Sequence, residues 1–123
     1  MPQPLALVFY ERLMPGSQLV NRLQDLNYRV LVLNSIELLV ATAKREKPLL
    51  LLTDLLTASD VCGAIARIKT ETDTSHLPII AFAPESETAL IAAAQKAGAN
   101  FAVTETGLNS HLPHMIDRAL QVD

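Results

Sequence analysis

The sequence has one cysteine, Cys62, and no tryptophan. A lone cysteine excludes an intramolecular disulfide and a multi-cysteine zinc site. Aromatic residues make up only 4% of the chain, so any core must be aliphatic. No apolar segment reaches the ~18–20 residues needed to span a bilayer. The N-terminus, MPQPLALVFYER, has neither the basic start nor the long apolar stretch of a secretory signal. Lys and Arg form no stripe, and the net charge is −3. That balance excludes a nucleic-acid surface, which needs clustered cations against phosphate. Glycine-rich phosphate loops are also missing: Gly98-Ala99-Asn100 reads as a helix stop. These absences lead us to expect a cytoplasmic protein with no membrane or nucleic-acid partner.

What is present suits a compact α/β globule. Half of the 123 residues are hydrophobic and 19% are charged, and residues 1–123 are expected to form one domain. The central feature is Pro48–Leu56, PLLLLTDLL, where an unbroken leucine run is followed by Thr53 and Asp54. A run this short, entered through proline, reads as a strand buried on both faces, which need not alternate apolar and polar residues. A carboxylate at its end would lie at the carboxyl edge of a parallel sheet, where open α/β folds place their chemistry.

Four more short runs are expected to be strands: Leu5–Tyr10, again continuous and apolar, Tyr28–Leu33, rich in β-branched and aromatic residues, Pro78–Ala83 and Phe101–Val103. Helical spacing separates them. Ser17 is expected to cap a first helix carrying Leu19, Val20, Leu23 and Leu26, after a loop over Glu11–Ser17 with Pro15-Gly16 as a turn. Ser35 is expected to cap a second helix with Ile36, Leu39, Val40 and Ala43 on one face. Beyond the loop Thr57–Ser59, Ser59 would cap a third with Val61, Ala64, Ile65 and Ile68 inward, and Thr70–Leu77 reads as a loop. Ser86 opens a fourth, with Leu90, Ile91, Ala94 and Ala97 inward and Gly98 as its stop. Thr104–Asn109 reads as a loop, Ser110 as the cap of a fifth helix, and Pro113 as part of its first turn. Alternation of strand and helix predicts parallel pairing through right-handed crossovers, and strand order 2-1-3-4-5 is the economical arrangement.

From Leu5 to Leu120 this pattern resembles the receiver domain of bacterial response regulators, a flavodoxin-like (βα)5 fold. The resemblance is carried by KPLLLLTDL, by HLPIIAFA and by AAAQKAGANFAV, the helix 4–Gly-Ala–strand 5 junction. It implies that Asp54 stands at the phosphoacceptor position. Receivers surround that aspartate with two acidic residues that help hold Mg²⁺, a Ser or Thr and a Lys. Here the acidic pair falls on Phe9 and Tyr10, with Glu11 just beyond. The hydroxyl position is Ala83, the lysine position is Glu105, and Thr106 replaces the proline that usually follows it. An anion at the lysine position would repel an aspartyl phosphate, by about 4 kcal/mol at ~4 Å and an effective dielectric near 20. Thr104 is expected to face away and substitutes poorly for the missing hydroxyl.

Two readings follow. In the first, the chain is a pseudo-receiver that regulates two-component-type signalling through protein–protein contact, with no cofactor, enzymatic activity or phosphorylation. In the second, Asp54 is a working phosphoacceptor that uses Glu11 and Mg²⁺ and receives its phosphoryl group from a histidine kinase or a small phosphodonor. The resemblance implies a signalling protein or histidine kinase as partner. It places the contact face, including any homodimer, on helix 4, strand 5 and helix 5. A blander role for Asp54 is to cap the loop or helix after its strand. Asp54, Glu11 and Glu105 are expected to crowd together, which would raise the pKa of one of them. Cys62 reads as a packed thiol, and His111 and His114, three apart, as solvated helix residues without further metal ligands.

Overall fold

The computed structural model describes residues 4–33, 35–57 and 59–120, with the backbone alone at 13–15. Strands β1 (Leu5–Phe9), β2 (Arg29–Leu33), β3 (Leu50–Asp54), β4 (Ile79–Ala83) and β5 (Phe101–Thr104) form one sheet in the order β2-β1-β3-β4-β5. Every pairing is parallel. This is the order expected from strict alternation with the helices α1 (Leu13–Asp25), α2 (Leu39–Glu46), α3 (Val61–Thr70), α4 (Thr88–Ala97) and α5 (Glu105–Leu120). Among the described residues no helix is long and apolar enough to cross a membrane.

The central strands β1, β3 and β4 are buried at every position, which explains why they read as continuous apolar runs. Their side chains still alternate between the faces. Leu7, Phe9, Leu51, Ile79, Ala81 and Ala83 pack in a cluster with α2, α3 and α4. Ala6, Val8, Leu50, Leu52, Ile80 and Phe82 pack with α1 and α5. The period of two therefore puts Asp54, which follows Leu50 and Leu52 in phase, on the α1–α5 side of the sheet.

The helices bury the faces their spacing predicts. In α3 the buried residues are Val61, Ala64, Ile65 and Ile68. Helix ends use left-handed backbone at Gly98 (φ 116°), where a stop was expected, and also at Asn27 (φ 70°) and Lys47 (φ 50°).

Several boundaries differ from expectation, each for a local reason. Helix α1 begins at Leu13, so most of the predicted loop Glu11–Ser17 is helical and Arg12, not Ser17, is the residue before the first turn. Pro15 is tolerated there because first-turn N–H groups have no intrahelical acceptor to lose. Strand β3 is shorter than Pro48–Leu56. In the loop after it, residue 58 lies outside the described residues. The cap of α3 is Asp60 instead of Ser59, and Asp60 Oδ1 accepts from Gly63 N at 3.0 Å. Ser35 precedes a 3-10 turn, Ile36–Leu38, that leads into α2, and its side chain makes no cap bond. Helix α4 starts at Thr88, two residues after Ser86.

Helix α5 departs furthest. It starts at Glu105 and contains the predicted loop Thr104–Asn109 almost entirely. Thr104, not Ser110, supplies the cap: its Oγ1 accepts from Gly107 N at 3.0 Å. The helical run is broken at His111, whose backbone is non-helical (φ −131°, ψ 24°), so Pro113 falls in the first turn of the segment beyond the break, as expected. Having no N–H, Pro113 leaves the carbonyl of Asn109 without its helical donor, and the Arg22 guanidinium of α1 donates to that oxygen.

Candidate functional site

Strand β3 ends at the carboxyl edge with Asp54, whose side chain is fully buried. An ionised carboxylate in that position requires a cation and a full set of donors. Arg12 supplies the cation. It stands between β1 and α1 with extended backbone (φ −84°, ψ 120°) and makes no helix-cap bond. Its Nε donates to Asp54 Oδ2 at 2.7 Å and its Nη2 to Asp54 Oδ1 at 2.8 Å. This is the bidentate geometry in which a planar guanidinium binds carboxylate best. The backbone N–H of Leu56 adds a third bond to Oδ1 at 3.0 Å, so Asp54 also ties down the loop that follows it.

The same Nη2 also donates to Oε1 of Glu105, the first residue of α5. One guanidinium thus lies between two carboxylates drawn from β3 and α5. Hydrogen bonding to Asp54 is the largest effect and pushes Arg12 further above its already high pKa; burial opposes it, and the smaller contribution of Glu105 adds to it. The crowding of acidic groups foreseen in the sequence holds for Asp54 and Glu105, with a cation between them. Glu11 is engaged elsewhere: its Oε2 accepts from Ser59 Oγ at 2.7 Å.

The remaining positions fall as follows. Phe9 is fully buried in the apolar cluster under α2, α3 and α4, and so is Ala83. Neither side chain offers a polar atom. Tyr10 packs on the α1–α5 side, its ring pressed against Gly16. Thr104 pairs in register with Ala83 and spends its hydroxyl on the α5 cap. Thr106 reaches across to Glu85 in the β4–α4 loop.

Sequence reading overlooked Arg12. A signal did exist: an anion at Glu105, where the resemblance calls for a cation, leaves Asp54 without a counter-charge. The first basic residue after strand 1 is Arg12.

The residues present do not fit Mg²⁺, the ion that the receiver resemblance implies. Mg²⁺ takes near-octahedral oxygen ligands, commonly one or two carboxylates with the rest water, so it needs a carboxylate that no other cation already occupies. Among the described residues no group of three or more His, Cys, Asp or Glu side chains is placed to hold a metal. Both Asp54 oxygens already face a guanidinium. His111 and His114 belong to no such group.

No protein-family model matches the chain, and no curated protein matches it. Solved structures do. The receiver domain of a sensor histidine kinase from Pseudomonas aeruginosa PAO1, which has a magnesium ion coordinated in its active-site cleft, is similar with a TM-score of 0.85 at 20% identity. That match covers 97% of this chain and 98% of the other. The receiver domain of NtrX from Brucella abortus gives 0.82 at 16% identity, over 96% and 99% of the two chains. The signal receiver domain of a signal transduction histidine kinase from Syntrophus aciditrophicus gives 0.78 at 17% identity, over 98% and 95%. At such low identity these likenesses establish the architecture: the chain has the five-stranded, flavodoxin-like α/β fold seen in receiver domains.

Proposed function

We propose that this chain is a receiver-fold signalling module that works through protein–protein contact without phosphorylation of Asp54. The observation that carries the reading is the bidentate Arg12–Asp54 pair in a fully buried setting. Phosphoryl transfer needs a carboxylate oxygen free to attack in line, and cations to neutralise the charge on the transferring group. Here both oxygens accept from Arg12, and Glu105 adds negative charge on the other side of that cation. The partner is a signalling protein such as a histidine kinase. Its contact face is the α4–β5–α5 surface, where Ala89, Ala92 and Ala93 are exposed and allow close approach of another backbone. On this reading the module is not an enzyme and needs no cofactor.

The test is a Mg²⁺ titration of ¹⁵N-labelled protein followed by beryllofluoride, watching the amides of Asp54, Ala83 and Glu105. The expected spectrum is unchanged at millimolar concentrations. Saturable shifts at those amides that vanish in Asp54→Asn would overturn the reading and make Asp54 a phosphoacceptor.

A further inference from the structure

We infer that Arg12 is a resident cation: one side chain stands in for both a divalent metal ion and a lysine, and it fastens three loops of the carboxyl edge together. The inference rests on the same Asp54 geometry as the proposed function.

The first ground is charge. Asp54 is fully buried, and a buried carboxylate stays ionised only beside a compensating charge. Among the described residues the one ion pair formed by Asp54 is with Arg12. The second ground is shape. Nε and Nη2 present one edge of the guanidinium to both Asp54 oxygens, and Nη2 also reaches Glu105. A metal ion collects oxygens from different loops in the same way, and this cation collects them from the end of β3 and the start of α5 while anchored between β1 and α1. The third ground is the sign at Glu105. A carboxylate at that position fits a site whose cation enters from the β1–α1 side, and it would be a poor choice next to an otherwise uncompensated Asp54.

It follows that the chain is indifferent to divalent ions because a cation is already built in. Without Arg12, two carboxylates, at the end of β3 and the start of α5, would be left facing each other, and an added divalent ion becomes the available means of neutralising them. The experiment measures thermal unfolding of wild type, Arg12→Ala and Arg12→Gln, each in EDTA and in 10 mM Mg²⁺. Wild type is expected to show the same Tm in both. Each variant is expected to melt lower in EDTA and to regain about 5 °C or more in Mg²⁺. That gain should disappear when Asp54→Asn is added.

Variants that fold but do not respond to Mg²⁺ would overturn the inference, as would variants that stay unfolded with and without the ion. So would a wild-type chain that gains as much as the variants. An independent check uses Glu105→Lys. With Arg12 present it brings two cations together and should lower Tm, whereas Arg12→Ala in the same chain should recover part of the loss. An additive loss in the double variant would also count against a resident cation. Failure here is distinguishable from failure of the proposed function, because beryllofluoride is tested on the wild-type chain and Mg²⁺ rescue on the Arg12 variants.

Discussion

The ring of Tyr10 occupies the space that a side chain at Gly16 would need: a Cβ built on Gly16 would lie 2.1 Å from ring Cδ2 and 2.2 Å from Cγ. The residue that looked like half of a Pro-Gly turn is therefore a packing site in the first turns of α1, next to Arg12. Gly16→Ala should force the ring out of place and cost about 1–3 kcal/mol, the usual range for overpacking. Urea denaturation measures the loss. A Tyr10→Ala background should absorb most of it, and an undiminished loss there would show that the contact is not the cause.

A second expectation concerns the asymmetry of the Arg12–Asp54 pair. The aspartate is fully buried, whereas the arginine side chain is 29% exposed. Removing the arginine strands a buried charge. Removing the aspartate's charge leaves a cation that still has Glu105 and some access to water. Arg12→Ala should therefore cost about 3–5 kcal/mol at neutral pH, and Asp54→Asn clearly less. Equal losses in urea melts would contradict this assignment of burial.

The fold was legible because it depends on repeated local patterns. Five short apolar runs, each followed by helical spacing, determine a parallel sheet with few plausible strand orders, and α3 buried the residues its period predicted. Helix starts were less legible. Pro15, Gly16, Gly107 and Pro113 all look like breakers, yet each lies within a helix. First-turn geometry excuses Pro15, and the break at His111 excuses Pro113 in the same way, with Arg22 serving the carbonyl that Pro113 leaves open. Arg12 was missed for a related reason. Its partners lie 42 and 93 residues away, so no window of sequence contains the interaction.

The compensation of Pro113 can be measured. Arg22→Ala removes the donor to the Asn109 carbonyl and should cost about 1 kcal/mol, a typical net value for one hydrogen bond. Pro113→Ala restores a backbone N–H that can serve the same oxygen. In a double-mutant cycle Arg22→Ala should then cost less in the Pro113→Ala background. Simple additivity would mean that the arginine contributes in another way.

Cys62 provides a test in alkali. Burial, followed by the nearby Asp60 charge, raises its thiol pKa above the ordinary value. The folded chain therefore keeps its proton where the unfolded chain has lost it, and stability from this group falls as pH rises from about 9 through the raised value. Wild type should lose stability over that window faster than Cys62→Ala. At pH 8 a disulfide reagent should react with the folded thiol more slowly than with the urea-unfolded chain; equal rates would place the thiol in open solvent.

A charge carried on the chain has no dissociation constant. A bound ion or phosphoryl group comes and goes with its concentration, and a protein that depends on one reports that concentration. The Arg12 guanidinium cannot be chelated, diluted or hydrolysed away, so the carboxyl edge it organises is present in every folded copy. What such a molecule can vary is how many copies exist and what each one touches. Under the proposed function its signal would be an amount, where that of an ion-dependent protein is an occupancy.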